Sequence, residues 1–282
     1  MSARRLDTEL VARGLARSRT QAQALVRDGL VRLEGETVTR PATPVAPEQE
    51  LSVEPDPTAT SAWITRGWVG RGAVKLDAAL QAWEPQGLRV RGRRCLDVGA
   101  STGGFTQVLL EHGAASVVAL DVGHGQLDPR LVEDPRVTDL SGTNVRTVTA
   151  SDVGGPVGVV VGDLSFISLR LVLPVLPGLV DEDAELVLLV KPQFEVGREA
   201  LGSEGVVRSA RARHDVLLDV TTAAREQGLA VMDLARSPLT GEAGNVEYLL
   251  WLRPCRTGMI GWGLAPEELA QRCHDLSQEE DR

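Results

Sequence analysis

From about residue 94 onward, short apolar runs alternate with helical stretches, and this alternation restricts the fold more than any other feature of the chain. The runs are RCLDVG, SVVALD, RVTDLS, VGVVVGD, ELVLLVK, LAVMDLA and VEYLLWLR. Between them lie FTQVLLEHG, LRLVLPVLPGL and ARARHDVLLDVTTAAREQG. Strands too apolar to have a wet face, separated by amphipathic helices, fit a mostly parallel sheet covered on both sides. The last two runs are joined by the loop-rich SPLTGEAGN and pair as an antiparallel hairpin at one edge. The expected fold class is α/β: a doubly wound, seven-stranded Rossmann-like sheet with an antiparallel edge hairpin, preceded by a small α+β domain.

That small domain lies before residue 60. LDTELVARG places Leu6, Leu10 and Val11 at helical spacing and stops at Gly14; Ser18 can cap a second helix that ends at Gly29. LVRLEGETVTR reads as two short strands around a Glu34–Gly35 turn, and Leu51–Val53 as one more. The expected organisation is this small α+β unit over 1–60, a linker over 61–71, the α/β domain over 72–264 and a helical extension over 265–282.

CLDVGASTGGFTQVLLEHG is the strongest local signal. Its strand ends at Asp97, and Gly99, Gly103 and Gly104 open a helix near Phe105. Glycines let backbone approach a ligand closely, and in a doubly wound fold the ligand sits at the carboxyl ends of the strands. Asp121, ending the second strand, is placed for ribose hydroxyls. The spacing is G-x-x-x-G-G, not the G-x-G-x-x-G of a dinucleotide site. An acid two residues before the first glycine repels a diphosphate and attracts a sulfonium and an α-amino group. S-adenosylmethionine is therefore favoured over a nicotinamide cofactor or a turn with no ligand. A seven-stranded sheet with a final hairpin is also the usual methyltransferase variant of this fold.

Of 30 Lys and Arg residues only two are lysine, Lys75 and Lys191. Lys191 ends the fifth strand beside Asp163 at the end of the fourth, and adjacent strands lie about 5 Å apart. Glu247 opens the last strand. Methyl transfer to a hydroxyl needs alignment and removal of one proton. A lysine, with a reference pKa of about 10.4 that burial or a neighbouring cation can lower, suits that task, and a guanidinium does not. The plain alternative is a pair of solvated surface charges; a chain that fills its other basic positions with arginine weakens it.

The net charge of −9 hides two basic segments: net +3 over residues 1–40, and net +5 over residues 66–94. These are either solvated faces or a nucleic-acid surface. Three distant cysteines and four scattered histidines suggest neither a disulfide framework nor a metal centre and fit a reducing cytoplasm. No apolar run approaches the roughly 18 residues of a membrane span, and MSARRLDTEL lacks a signal core.

RLDTELVARGLARSRTQAQALVRDGLVRLEGETV resembles the small RNA-binding module of a ribosomal small-subunit protein. DVGASTGGFT, DLSFISL, VKPQFE and GNVEY, in that order, resemble the haemolysin A (TlyA) family of rRNA 2′-O-methyltransferases, relatives of the FtsJ-type enzymes. The likeness runs from about Arg4 to Leu252. It implies a catalytic set of Lys75, Asp163, Lys191 and Glu247. It implies cofactor contacts at Asp97, Gly99, Ala100, Ser101, Gly103, Gly104, Phe105, Asp121, Val122, Asn144 and Asp163. Phosphate contacts are expected from Arg4, Arg5, Arg13, Arg17, Arg19, Arg27, Arg66 and Arg71. RGWV at Arg66–Val69 stands where the family linker reads approximately RAWV, and Val74 where the family commonly has histidine. The implied cofactor is S-adenosyl-L-methionine, without a metal, and the implied partner is rRNA in ribosomal subunits, met by a cytoplasmic monomer. Both termini read as extended, which favours cytidine 2′-O-methylation in both small- and large-subunit rRNA, a modification tied to capreomycin and viomycin sensitivity. The competing readings are a non-catalytic ribosome assembly factor, a small-molecule O-methyltransferase and, last, a membrane-active haemolysin.

Overall fold

The structure is a computed structural model that describes residues 3–16, 19–54, 62–197, 201, 205–241, 243–255 and 263–279. The chain divides into two units, Met1–Val74 and Lys75–Arg282.

In the first unit, strand β1 (Arg4–Arg5) leads into helix α1 (Leu6–Ala12), followed by α2 (Arg19–Arg27), β2 (Val31–Leu33), β3 (Glu36–Thr37), β4 (Pro44–Val45) and β5 (Leu51–Val53), with α3 (Ala62–Thr65) further on. Strands β3, β2 and β5 form an antiparallel sheet, and β1 pairs with β4. The Glu34–Gly35 turn has both residues at positive φ (53° and 82°), as expected of a two-residue hairpin. Ser18, the expected cap of α2, lies outside the described residues. Strands β1 and β4, two residues each, carry no periodicity from which to foresee them. Leu6, Leu10, Ala22, Leu25, Val26 and Val31 make a small, fully enclosed core.

A buried carboxylate organises this unit. Asp7, 0% exposed, accepts hydrogen bonds from Arg5 (3.0 Å to each oxygen), Arg19 (3.1 Å) and Gln23 (2.9 Å), which joins α1 to α2. The Arg5 contact first of all, helped by Gln23 and Arg19, outweighs burial and holds the Asp7 carboxyl far below the usual carboxylate range.

In the second unit, helix α4 (Gly72–Trp83), which begins in the first, precedes β6 (Arg94–Val98), α5 (Gly104–Glu111), β7 (Ser116–Asp121), α6 (Pro129–Val132), β8 (Val137–Ser141), β9 (Val157–Gly162), β10 (Val180–Val190), α7 (Pro192–Glu195), α8 (Ala210–Glu226), β11 (Leu229–Arg236), β12 (Tyr248–Pro254) and α9 (Pro266–Gln278). The seven strands form one sheet in the order β11-β12-β10-β9-β6-β7-β8. Strands β6 to β10 run parallel and β12 runs antiparallel to both β10 and β11, so the expected edge hairpin is present. Strand β9 is buried at every position, which explains its unbroken apolar sequence. The order reverses between β6 and β9, and the crevice at such a switch point is where doubly wound sheets bind ligands.

One expected helix is absent. LRLVLPVLPGL forms two short 3-10 turns, Leu169–Leu171 and Leu176–Leu179, because Pro174 and Pro177 each remove a helix donor and clash with the preceding turn. Leu169, Val172, Leu173, Leu176 and Leu179 still bury their side chains in the main core. Helix α4 is tied to the sheet through Trp83, whose ring stacks on Trp251 with centroids 5.7 Å apart and whose indole N–H donates to Asp233 (2.9 Å).

Replacing Asp7 by Asn should destabilise the protein by about 2 kcal/mol at pH 7, a figure reduced for the half-exposed arginines. The native Asp7 contact contributes fully above the unfolded carboxyl value of about 3.9 and is lost as pH falls through its depressed folded value. Urea denaturation at pH 7 and pH 3 should therefore show the gap between native and variant narrowing on the acid side.

Candidate active site

Helix α4, the carboxyl ends of β9 and β10 and the start of β12 bring together Lys75, Asp163, Lys191 and Glu247. The Lys191 ammonium lies 2.6 Å from one Asp163 oxygen, and the Lys75 ammonium 3.4 Å from the other. Lys75 also donates to Glu247 at 2.6 Å, and Lys191 to the Ser165 hydroxyl at 2.9 Å. Lys75, Lys191 and Glu247 are buried, at 5%, 8% and 2% exposure, so these charges are held by one another rather than by water. Burial works against the charged form of Asp163. The two ammonium groups, Lys75 and then Lys191, outweigh it and hold its carboxyl below the usual range.

Beside this network lies the glycine loop. Gly99 sits at φ 82° and Gly103, the N-cap of α5, at φ 93°. A Cβ on Gly99 would stand 3.0 Å from the carbonyl oxygen of Asp163, so only glycine lets the ends of β6 and β9 approach this closely. Ser101 also adopts a left-handed φ of 48°, which turns its N–H toward an Asp121 oxygen (2.8 Å); the other Asp121 oxygen accepts from Gly123 N–H (2.7 Å). Each of those oxygens keeps a lone pair for a further donor.

Asp97 is fully enclosed. One oxygen accepts from the Thr106 hydroxyl at 2.7 Å, and the other has no partner. Burial pushes its carboxyl up to about 7, against the pull of the Thr106 hydrogen bonds. A buried, unpaired acceptor is costly unless a donor fills the place, and a cationic amine beside the glycine loop would do so. Ala100 and Gly104 are buried in the loop. Phe105, at 3% exposure, packs its ring into the core. Val122, 67% exposed, stands just past β7, and exposed Asn144 follows β8, where its side-chain oxygen caps a 3-10 turn by accepting from Arg146 N–H (3.0 Å).

The arginines of the first unit divide by environment. Arg4, Arg5, Arg19, Arg27 and Arg66 are exposed and Arg71 half-buried; Arg66 lies over the Trp68 ring at 4.1 Å. Arg13 is turned inward, bonded to Glu9 (2.9 Å) and to the carbonyls of Gln49 (2.7 Å), Ala46 and Pro47, so it staples α1 to the chain before β5. Arg17 lies outside the described residues.

Four neighbours escaped the sequence reading. Thr106 and Ser165 complete the hydrogen bonding of Asp97 and Lys191, and their signal was only spacing, nine residues past Asp97 and two past Asp163. Phe166 is 91% exposed at φ 63°, and its ring lies 5.3 Å from that of Phe194, which follows Lys191 by three residues. A bulky residue at positive φ is uncommon and marks a constrained site.

This sheet order, with a glycine loop after the first of its strands and a charged network at the switch point, defines a methyltransferase of the Rossmann-like class. A model of the FtsJ-like methyltransferase family matches residues 68–254, and one of the S4 domain matches residues 4–51. The 16S/23S rRNA (cytidine-2′-O)-methyltransferase TlyA of Mycobacterium tuberculosis (strain H37Rv) is 52% identical over 88% of this chain and 89% of its own length. Hemolysin A of Brachyspira hyodysenteriae is 33% identical over 87% of this chain and 98% of its own. A solved structure from Streptococcus thermophilus that carries the hemolysin name superimposes with a TM-score of 0.72 at 35% identity, covering 98% of this chain and 97% of that one. The chain belongs to the TlyA family of FtsJ-like methyltransferases, with an N-terminal S4 domain. No helix among the described residues is long and apolar enough to cross a membrane.

Gly99→Ala should lower stability by about 2 kcal/mol, from a strained φ and displacement of the Asp163 backbone. Thermal denaturation against the wild type checks this, and a shift no larger than that of an exposed Gly→Ala change elsewhere would contradict it.

Proposed function

We propose that this chain is an S-adenosylmethionine-dependent 2′-O-methyltransferase that acts on cytidine in ribosomal RNA. The observation that carries the proposal is the Asp163 carboxylate bracketed by the Lys75 and Lys191 ammonium groups, against the glycine loop. The names of the relatives support the choice of rRNA, cytidine and the 2′ oxygen.

S-adenosylmethionine, when bound, supplies a methyl group already activated by its sulfonium. The unpaired oxygen of Asp97 fits the α-amino group, and the free lone pairs of Asp121 fit the ribose hydroxyls. The backbone from Gly99 to Gly104 lines the same crevice, and Val122 and Asn144 frame its outer end. The protein's remaining task is to place one hydroxyl and remove its proton. In this reading Lys191, as the neutral amine, receives that proton and becomes the ammonium that Asp163 and Ser165 hold. Lys75 balances the charge on Asp163 and is itself fixed by Glu247. A guanidinium at either lysine position keeps the charge but cannot accept a proton.

Residues 1–60 hold the RNA and residues 72–264 carry out the transfer. Arg4, Arg5, Arg19, Arg27, Arg66 and Arg71 supply phosphate contacts. Asp7 presets Arg5 and Arg19, which lowers the entropy cost of binding. Phe166 offers an exposed ring beside the lysine network, suited to stacking a base turned out of its helix. The inward-turned Arg13 acts in folding and leaves the phosphate-binding set.

Incubation with unmethylated ribosomal subunits and labelled cofactor should place the label on 2′-O-methylcytidine, and label on no rRNA nucleotide would refute the proposal. Lys191→Arg should lower turnover at least a hundredfold while RNA affinity stays unchanged. Asp97→Asn should weaken cofactor binding about tenfold, as expected for loss of one charge-assisted hydrogen bond, read by calorimetry.

A further inference from the structure

His112 lies outside the network above, yet it touches the helix that carries Lys75. It is the C-cap of α5, and its ring joins two carboxylates: Nδ1 is 3.0 Å from Glu84, just past α4, and Nε2 is 3.4 Å from Asp77 within α4. Asp77 is 7% exposed, and its other oxygen accepts from Gln81 at 2.7 Å. The opposite end of α5 opens from the glycine loop. One imidazole therefore ties the helix of the cofactor loop to the helix of Lys75, two residues from that lysine and about 3 Å along the helix axis.

We propose that protonated His112 is a positioning residue, a two-carboxylate clamp that fixes α4 against α5 and so holds Lys75 in register with Asp163 and Glu247. This inference rests on the methyltransferase reading of Lys75. The ring can satisfy both carboxylates only when both nitrogens carry protons. In the neutral ring one nitrogen presents a lone pair to a carboxylate, and one arm of the clamp fails. When the Asp77 arm fails, α4 loses one of its ties to α5 two residues from Lys75. The Lys75 ammonium must meet two carboxylates at 2.6 and 3.4 Å, which leaves little tolerance for such a shift.

Asp77 faces the ring from α4 and Glu84 from the turn that follows. Glu111, its exposed neighbour on α5, is engaged by Gln107 (3.1 Å). Arg91, before β6, lies over Gly113 with its guanidinium 3.2 Å from where a Cβ would stand. The Asp77 contact first, joined by Glu84 and opposed by burial, raises the His112 pKa above its usual value. The clamp is thus complete below about pH 6.5, the free-imidazole value, and is lost as pH rises through the raised folded value. Turnover therefore falls on the alkaline side, and that limb belongs to His112.

The test is kcat against pH from 6 to 9.5, with saturating RNA and cofactor, for wild type, His112→Ala, His112→Gln and His112→Arg. His112→Ala and His112→Gln should lower kcat at pH 7 about tenfold or more, leave both KM values unchanged, and lack the alkaline limb. His112→Arg, charged at every pH used, should restore kcat and keep it into the alkaline range. Circular dichroism follows the folded fraction of each variant. A kcat within twofold of wild type for His112→Ala or His112→Gln, an unchanged alkaline limb, or losses that only track unfolding would overturn the clamp. If the wild type methylates no RNA, the proposed function fails separately. The clamp is then judged by NMR titration of the His112 ring: a raised midpoint that drops in Asp77→Asn supports it, and an ordinary midpoint overturns it.

Discussion

Asp163 stands between two lysine ammonium groups, and the strand ends and the glycine loop around it are placed so as to keep it there. A carboxylate at 19% side-chain exposure, beside two nearly enclosed cations, is tolerable only because each charge has a partner at close range. That requirement reaches outward. Lys191 must follow β10, Asp163 must follow β9, and Glu247 must precede β12, so two parallel strands end and one antiparallel strand begins at one level. Gly99 must lack a side chain, because the Asp163 carbonyl fills the space where one would be. The glycine loop and the charged network thus share one backbone contact.

Lys75 is the exception, since it comes from a helix and not from a strand end. Helix α4 is held at one end by the stacking of Trp83 on Trp251 and its bond to Asp233, and near Lys75 by the carboxylates of Glu247 and Asp163. Trp251 is in turn bonded to Glu185 (2.7 Å), which also receives two hydrogen bonds from Arg253. Polar groups buried under an apolar sheet normally cost stability. Here they are satisfied pair by pair, and they convert sheet packing into the position of one ammonium group.

The parts legible in the sequence are those with a local signature. Seven apolar runs read as strands because a sheet buried on both faces needs them apolar. Lys75 and Lys191 stood out because arginine fills the other basic positions. Asp97, Asp121 and Asp163 stood out because each ends a strand. What was not legible depends on distance along the chain or on geometry. His112 meets partners 28 and 35 residues away, and nothing near it in the sequence points to them. Arg13 looks like its exposed neighbours until the carbonyls of Ala46, Pro47 and Gln49 fold back over it. Phe105 and Phe166 are both phenylalanines beside a glycine or a strand-end acid, yet one is in the core and the other almost wholly in solvent. LRLVLPVLPGL misled because its leucines fit a helix and its prolines forbid one.

The most direct test of this account is the single-turnover rate of methyl transfer by Asp163→Asn, with saturating cofactor and saturating ribosomal subunits. Asparagine keeps the shape but leaves two ammonium groups facing each other without a counter-charge. The expected rate is at least a hundredfold lower, with RNA affinity unchanged and the protein folded by circular dichroism. A rate within about threefold of the native enzyme would contradict it, because the carboxylate would then not organise the chemistry.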